Sequence, residues 1–195
     1  MKKSIYLFAL VLMTSAFSFA QGTPKIGISG GLLNSNVDFD FTLSSLTATN
    51  NTGFYIGLAA DIPATDKFHL QPELLYGSAG DLGFVMLPVM AKFYVAGPFH
   101  LQAGPQFSFS TTLDDIKNKV GAAIELIDDD YNGSIEDTLK TVGVDFGFGA
   151  GFDATDQLTV QARYSFEMTN RYDGPGSGLL TLRAQQFTVG LVYFF

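Results

Sequence analysis

The sequence predicts an all-β fold, a closed antiparallel transmembrane β-barrel of about eight strands with room for a short helix in the longest extracellular loop. Three observations carry it. The last eleven residues (QQFTVGLVYFF) alternate with period two, setting Phe187, Val189, Leu191, Tyr193 and Phe195 on one face and Gln186, Thr188 and Gly190 on the other. Hydrophobic content is 47% and aromatic content 14%, with 19 Phe and no Trp, yet beyond the amino-terminal stretch no apolar run reaches the roughly 20 residues of a membrane helix. The connections between alternating segments are short and long by turns, as in hairpins whose tight turns share one side of a membrane.

The amino terminus stands apart from this pattern. Lys2 and Lys3 precede an apolar run from Ile5 to about Phe17, and Ser18-Phe19-Ala20 offers a small-x-small cleavage site. Residues 1–20 therefore read as a cleaved secretory signal peptide, too short for a spanning helix, and residues 21–195 as one barrel domain. The absence of cysteine excludes a cysteine-linked lipid anchor, disulfides and thiolate metal sites. Without Lys2 and Lys3 the net charge of −8 becomes −10, which argues against a nucleic-acid partner.

Taken in order, Lys25 to Leu33 reads as a first strand diluted by Gly27, Gly30 and Gly31, and the Ser-, Thr- and Asn-rich stretch 34–52 as a long loop. Gly53 to Ile62 is a clearer strand, with Phe54, Ile56, Leu58 and Ala60 facing away from Tyr55, Gly57, Ala59 and Asp61. Pro63-Ala64-Thr65-Asp66 is a tight turn, because proline pre-sets φ and threonine can bond the following backbone. Strands follow at 67–76, 84–95 and 99–109, separated by a loop at 77–83 and a turn at 96–98. A long irregular stretch, about 110–140, precedes strands at 141–152 and 157–166, which share the turn Asp153-Ala154-Thr155-Asp156. A Gly-rich loop at 167–184 leads to the closing strand. Pro72, Pro88 and Pro105 fall inside strands, where a missing N–H predicts bulges.

Two resemblances sharpen the reading. Thr188, Gly190, Tyr193 and Phe195 resemble the carboxyl-terminal assembly signal of bacterial outer-membrane barrels, which implies recognition by the barrel-assembly machinery. LQPELLY (70–76), LPVMAKFY (87–94), LQAGPQF (101–107) and VDFGFGAGFD followed by ARYSF resemble the outer-membrane protein beta-barrel domain family of Gram-negative bacteria, whose members include porin-family and PorT-like proteins. That resemblance implies an outer-membrane location, with lipid around the barrel, and offers no catalytic motif to carry over; a monomer is expected.

Two constellations bear on chemistry. Glu73 beside Lys92, and Asp145 beside Arg163, collect on the inward faces and predict an ionic lumen, since about eight strands leave room only for side chains. Asp128, Asp130, Asn132 and Glu136, with Gly133 between them, follow the spacing of an EF-hand calcium loop, but Leu139 stands where the bidentate glutamate belongs. An upstream stripe of Leu113, Ile116, Val120, Ile124 and Ile127 has helical spacing. No nucleophile–base pattern or dinucleotide motif is present, so neither an enzyme nor a cofactor beyond calcium is expected. The functional expectation is a structural or surface-interaction barrel with a polar, filled lumen. A porin or small-solute transporter, or a PorT-like part in protein secretion, are the alternatives.

Overall fold

The computed structural model describes residues 22–41, 44–80, 82–111, 142–169 and 180–195. Eight strands make it up: β1 (Lys25–Phe41), β2 (Ser44–Pro63), β3 (Phe68–Ala79), β4 (Leu82–Ala96), β5 (Phe99–Ser110), β6 (Val142–Asp153), β7 (Leu158–Glu167) and β8 (Leu180–Phe194). Each pairs antiparallel with its neighbours in sequence, and β1 pairs with β8 from Gly27↔Phe194 to Phe41↔Leu180, closing the barrel. Closure matters because an unpaired edge inside hydrocarbon leaves backbone groups unsatisfied at several kcal/mol each.

Alternation assigns the two faces. Ile28, Leu32, Phe54, Ile56, Leu58, Leu74, Tyr76, Phe93, Leu101, Phe148 and Leu191 point outward and are exposed. Their inward neighbours, such as Ser29, Gln71, Glu73, Gln102, Gln161 and Gln186, are buried. Polar groups are thus inside and apolar groups outside, the reverse of a soluble barrel and the arrangement a lipid solvent selects.

The tight turns follow from the repeated Ala-Thr-Asp. In the β2–β3 turn the Ala64 and Thr65 amides donate to the Phe68 carbonyl at 2.9 and 3.0 Å, while the Phe68 amide donates to Thr65 Oγ1 at 3.0 Å. The β6–β7 turn repeats this with Ala154, Thr155 and Leu158 at 2.8, 3.2 and 3.0 Å. One tripeptide builds one turn twice, because the threonine hydroxyl satisfies an amide that the ladder leaves over.

Three expectations are corrected. The loop expected at 34–52 is instead a hairpin: β1 continues to Phe41 and β2 starts at Ser44, paired throughout with a register shift at Val37/Asp38. Strand pairing needs only backbone groups, so polar residues extend the ladder once two neighbours hold it, and β8 also pairs with β1 here. The expected loops at 77–83 and 167–184 are likewise shorter. Ala79 pairs with Leu82, Gly80 turns the chain at φ 60, and β8 begins at Leu180.

The prolines do not make bulges. Register runs unshifted past Pro72, Pro88 and Pro105, and the shift in this part of the barrel lies at Tyr94/Ala96. Instead the ladder skips two rungs beside each proline, always toward the preceding strand: 60–61 against 71–72, 73–74 against 87–88, and 89–90 against 104–105. A proline removes one donor, and strands held on both sides cannot slip to absorb it. The expected calcium loop, the helical stripe and the signal peptide lie outside the described residues.

Candidate functional site in the barrel lumen

The inward faces stack into layers. Toward the end of the barrel that carries the long connections lies an apolar cluster of Leu33, Tyr55, Leu75, Ala79, Phe84 and Met86, all from β1 to β4. The opposite wall at a similar height is polar, built from Gln106, Ser108, Asp145 and Gln186 of β5, β6 and β8. The lumen is therefore amphipathic rather than uniformly polar, a departure from the expectation. The alternation that put Tyr55 inward carries the signal for this, since Leu33, Leu75 and Met86 sit on the same parity as buried polar residues.

The middle layer is ionic. Arg163 on β7 donates from Nη1 to Glu73 Oε2 at 2.9 Å and from Nη2 to Glu73 Oε1, a bidentate pair. Strands β3 and β7 are four apart in a ring of eight, so this pair crosses the lumen along a diameter. Arg163 Nε reaches Gln102 Oε1 at 2.9 Å and Nη2 reaches Gln161 Oε1 at 2.9 Å. Gln71 donates to Glu73 and, at 3.3 Å, to Gln161 Oε1. β3, β5 and β7 are thereby tied through one guanidinium, whose planar fork suits two carboxylate oxygens at once.

All four predicted lumen residues, Glu73, Lys92, Asp145 and Arg163, are buried and inward-facing. Their expected pairings are corrected. Lys92 stands opposite His69, and its Nζ donates to Asp61 Oδ1 at 3.1 Å, whereas Glu73 pairs with Arg163. Asp145 stands opposite Glu167, four residues from the Gly149↔Arg163 rung, and accepts from Gln106 Nε2 at 3.0 Å and from Ser108 Oγ. Sequence reasoning passed over Asp61 and the glutamines. Their inward parity was the available signal.

The layer nearest the tight turns is built around aromatic rings. His69 Nδ1 lies 2.7 Å from Asp61 Oδ2, the Tyr94 ring stands between His69 and His100 at 4.8 and 5.1 Å, and Tyr94 Oη donates to Asp153 Oδ2 at 2.7 Å. Lys92 Nζ lies 5.5 Å from the Tyr94 ring and 5.9 Å from that of Phe194. Beneath this floor opens a cavity of about 520 Å³ lined by Asp61, His69, Tyr94, Asp153 and Thr159, with Lys25, Asp66 and Asp156 at its rim.

In β8, Thr188 faces inward opposite Arg163, while Tyr193 and Phe195 are exposed outside. Gly190 leaves space that Tyr55 fills: a Cβ there would sit 2.2 Å from Tyr55 Oη and 2.4 Å from the Gly30 carbonyl oxygen.

Residues 6–195 match the family model described as outer membrane protein beta-barrel domain. The chain belongs to that family. Outer-membrane location and the outward apolar belt agree. Among solved structures it is similar to Ail, the attachment invasion locus protein of Yersinia pestis, at 13% identity and TM-score 0.48, covering 89% of this chain and 100% of that one. Neisserial surface protein A matches at 12% identity and TM-score 0.49 over 89% and 100% of the two chains. OprG from Pseudomonas aeruginosa matches at 10% and 0.41 over 90% and 98%. Curated proteins give no match. Among the described residues of this family member, no three His, Asp or Glu groups converge as a metal ion would require.

Proposed function

We propose that this outer-membrane barrel is a structural and surface-interaction protein whose lumen is filled and does not conduct solutes. The observation that carries the reading is the Arg163–Glu73 pair lying along a barrel diameter and braced by Gln71, Gln102 and Gln161. An eight-stranded barrel has an interior that side chains fill, and a bidentate ion pair across it leaves no continuous aqueous path. Function then falls to the long connections. The β1–β2 hairpin supports this, since its paired strands continue well beyond Gly53, where β2 leaves the β3 ladder. Export by a cleaved signal at residues 1–20, insertion through the carboxyl-terminal strand, a monomeric state and the absence of enzymatic activity complete the proposal.

Planar lipid bilayers test it. The mature chain refolded into vesicles and fused to the bilayer should give no stable ion-selective steps. Reproducible channels would instead establish the porin reading, and co-purification with secretion components the PorT-like one.

A further inference from the structure

The buried imidazole of His100 has no part in the ionic layer that fills the lumen. It is fully buried, and neither ring nitrogen has a hydrogen-bond partner among the described groups. Buried polar side chains without partners are uncommon in native structures. Its Nδ1 lies 3.8 Å from Asp153 Oδ1, beyond a hydrogen bond but within one small rotation of it. That same oxygen accepts from Thr159 Oγ1 at 2.6 Å, while Oδ2 holds Tyr94. Asp153 therefore has two neutral hydroxyl donors and one imidazole waiting beside it. Its side chain is 25% exposed and lines the 520 Å³ cavity, so solvent protons reach its immediate neighbourhood.

We propose that His100 is a proton-operated switch in the barrel mouth at the tight-turn end, its imidazolium capturing the Asp153 carboxylate from Thr159. One proton from the cavity water adds to the ring, His100 Nδ1–H donates to Asp153 Oδ1, and the Thr159 hydroxyl is released. The groups facing the ring set the balance. Burial of the ring opposes the added charge most, Lys92 on β4 and Arg163 on β7 act the same way, Asp153 on β6 and Asp61 on β2 favour it, and Tyr94 on β4 separates His100 from His69 on β3. The partner is in place because residue 151 is glycine: a Cβ there would lie 2.4 Å from His100 Nε2. The consequence is electrostatic. Above the transition the cavity presents Asp153 as a carboxylate bonded only to neutral groups, and below it that charge is cancelled, so the mouth attracts cations less at low pH.

The test is nuclear magnetic resonance of the mature chain refolded in micelles, with histidine rings and threonine methyls labelled. The pH is stepped from about 8 to about 3.5, so that the series extends below the ordinary histidine range for a buried ring. His69→Gln assigns the two ring signals, and Thr159→Ser, which keeps the hydroxyl, assigns the Thr159 methyl. The expected result is a Thr159 methyl shift with the same midpoint as His100, lost in Asp153→Asn. Should that variant fail to fold, His100→Gln serves as the second arm and should lose the Thr159 shift equally. A His100 ring that stays neutral throughout, a Thr159 methyl unmoved as His100 titrates, or a Thr159 shift that survives in the variant overturns the proposal.

Discussion

Replacing Arg163 by methionine removes the guanidinium while keeping a long apolar stem. In the native barrel that group makes four hydrogen bonds to three side chains: two to Glu73, one to Gln102 and one to Gln161. Without it the Glu73 carboxylate retains the Gln71 amide as its donor and nothing to balance its charge. Glu73 is 5% and Arg163 6% exposed, so solvent does not compensate. Breaking a buried pair from one side costs about 3–5 kcal/mol, chiefly through the charge left behind, whereas replacing both partners is close to neutral. Arg163→Met should therefore lower the stability of the refolded barrel by about that amount. The double variant Glu73→Gln/Arg163→Met should recover most of the loss. Urea titration in lipid vesicles, followed by the gel shift between folded and boiled protein, measures both. If the double variant is as unstable as the single one, the cost is lost packing and the electrostatic argument fails. If neither is destabilised, the diametric pair does not hold the lumen together.

Other outcomes follow from single contacts. Gly190→Ala should abolish the heat-shifted band, and adding Tyr55→Phe should not restore it, because the Gly30 carbonyl 2.4 Å from the new Cβ is backbone and cannot yield; a folded band from the single variant would refute the close approach. Pro105→Ala restores an amide toward Val89, worth about 1 kcal/mol, and loosens the unfolded chain by a similar amount. Its stability should therefore barely change, while hydrogen exchange shows the introduced amide protected; rapid exchange would mean that the β4 and β5 backbones are splayed there. In the 128–139 segment, Leu139→Glu supplies the bidentate ligand that calcium loops of this spacing use, so calorimetry should show calcium binding at least about tenfold tighter than in the native chain. Equal heats would show that the segment does not form such a loop.

Much of the fold was legible because the bilayer imposes two conditions that a sequence must display. Every outward residue in the belt must be apolar, which makes Phe187 to Phe195 readable to the last residue, and backbone groups must be paired, which forces the sheet to close on itself. Where the chain leaves the hydrocarbon, those conditions lapse. Within 34–52, Val37, Phe39, Phe41 and Leu43 alternate with Asp38, Asp40 and Thr42, a strand signal that the surrounding Ser, Thr and Asn outweighed; the pairing of β1 with both β2 and β8 decides it. The prolines misled for a related reason. A bulge is the usual remedy for a missing donor, but closure fixes β3, β4 and β5 in register, so the donors are forgone instead.

The lumen was legible in membership and not in pairing. Inward parity placed Glu73, Lys92, Asp145 and Arg163 inside, yet partners across a barrel are chosen by three quantities that sequence spacing does not carry: strand tilt, stagger and side-chain reach. Counting from the tight turns put Asp145 level with Arg163, but the β6–β7 register aligns Arg163 with Gly149. At that glycine the β6 and β7 backbones lie so close that a Cβ would sit 2.1 Å from the Ala162 carbonyl oxygen, while the guanidinium extends across the lumen to Glu73 rather than along its own hairpin. Small residues on the inward face thus make room for long ones: Gly151 receives His100 and Gly190 receives Tyr55. The inward glycines set where the buried rings of His100 and Tyr55 stand.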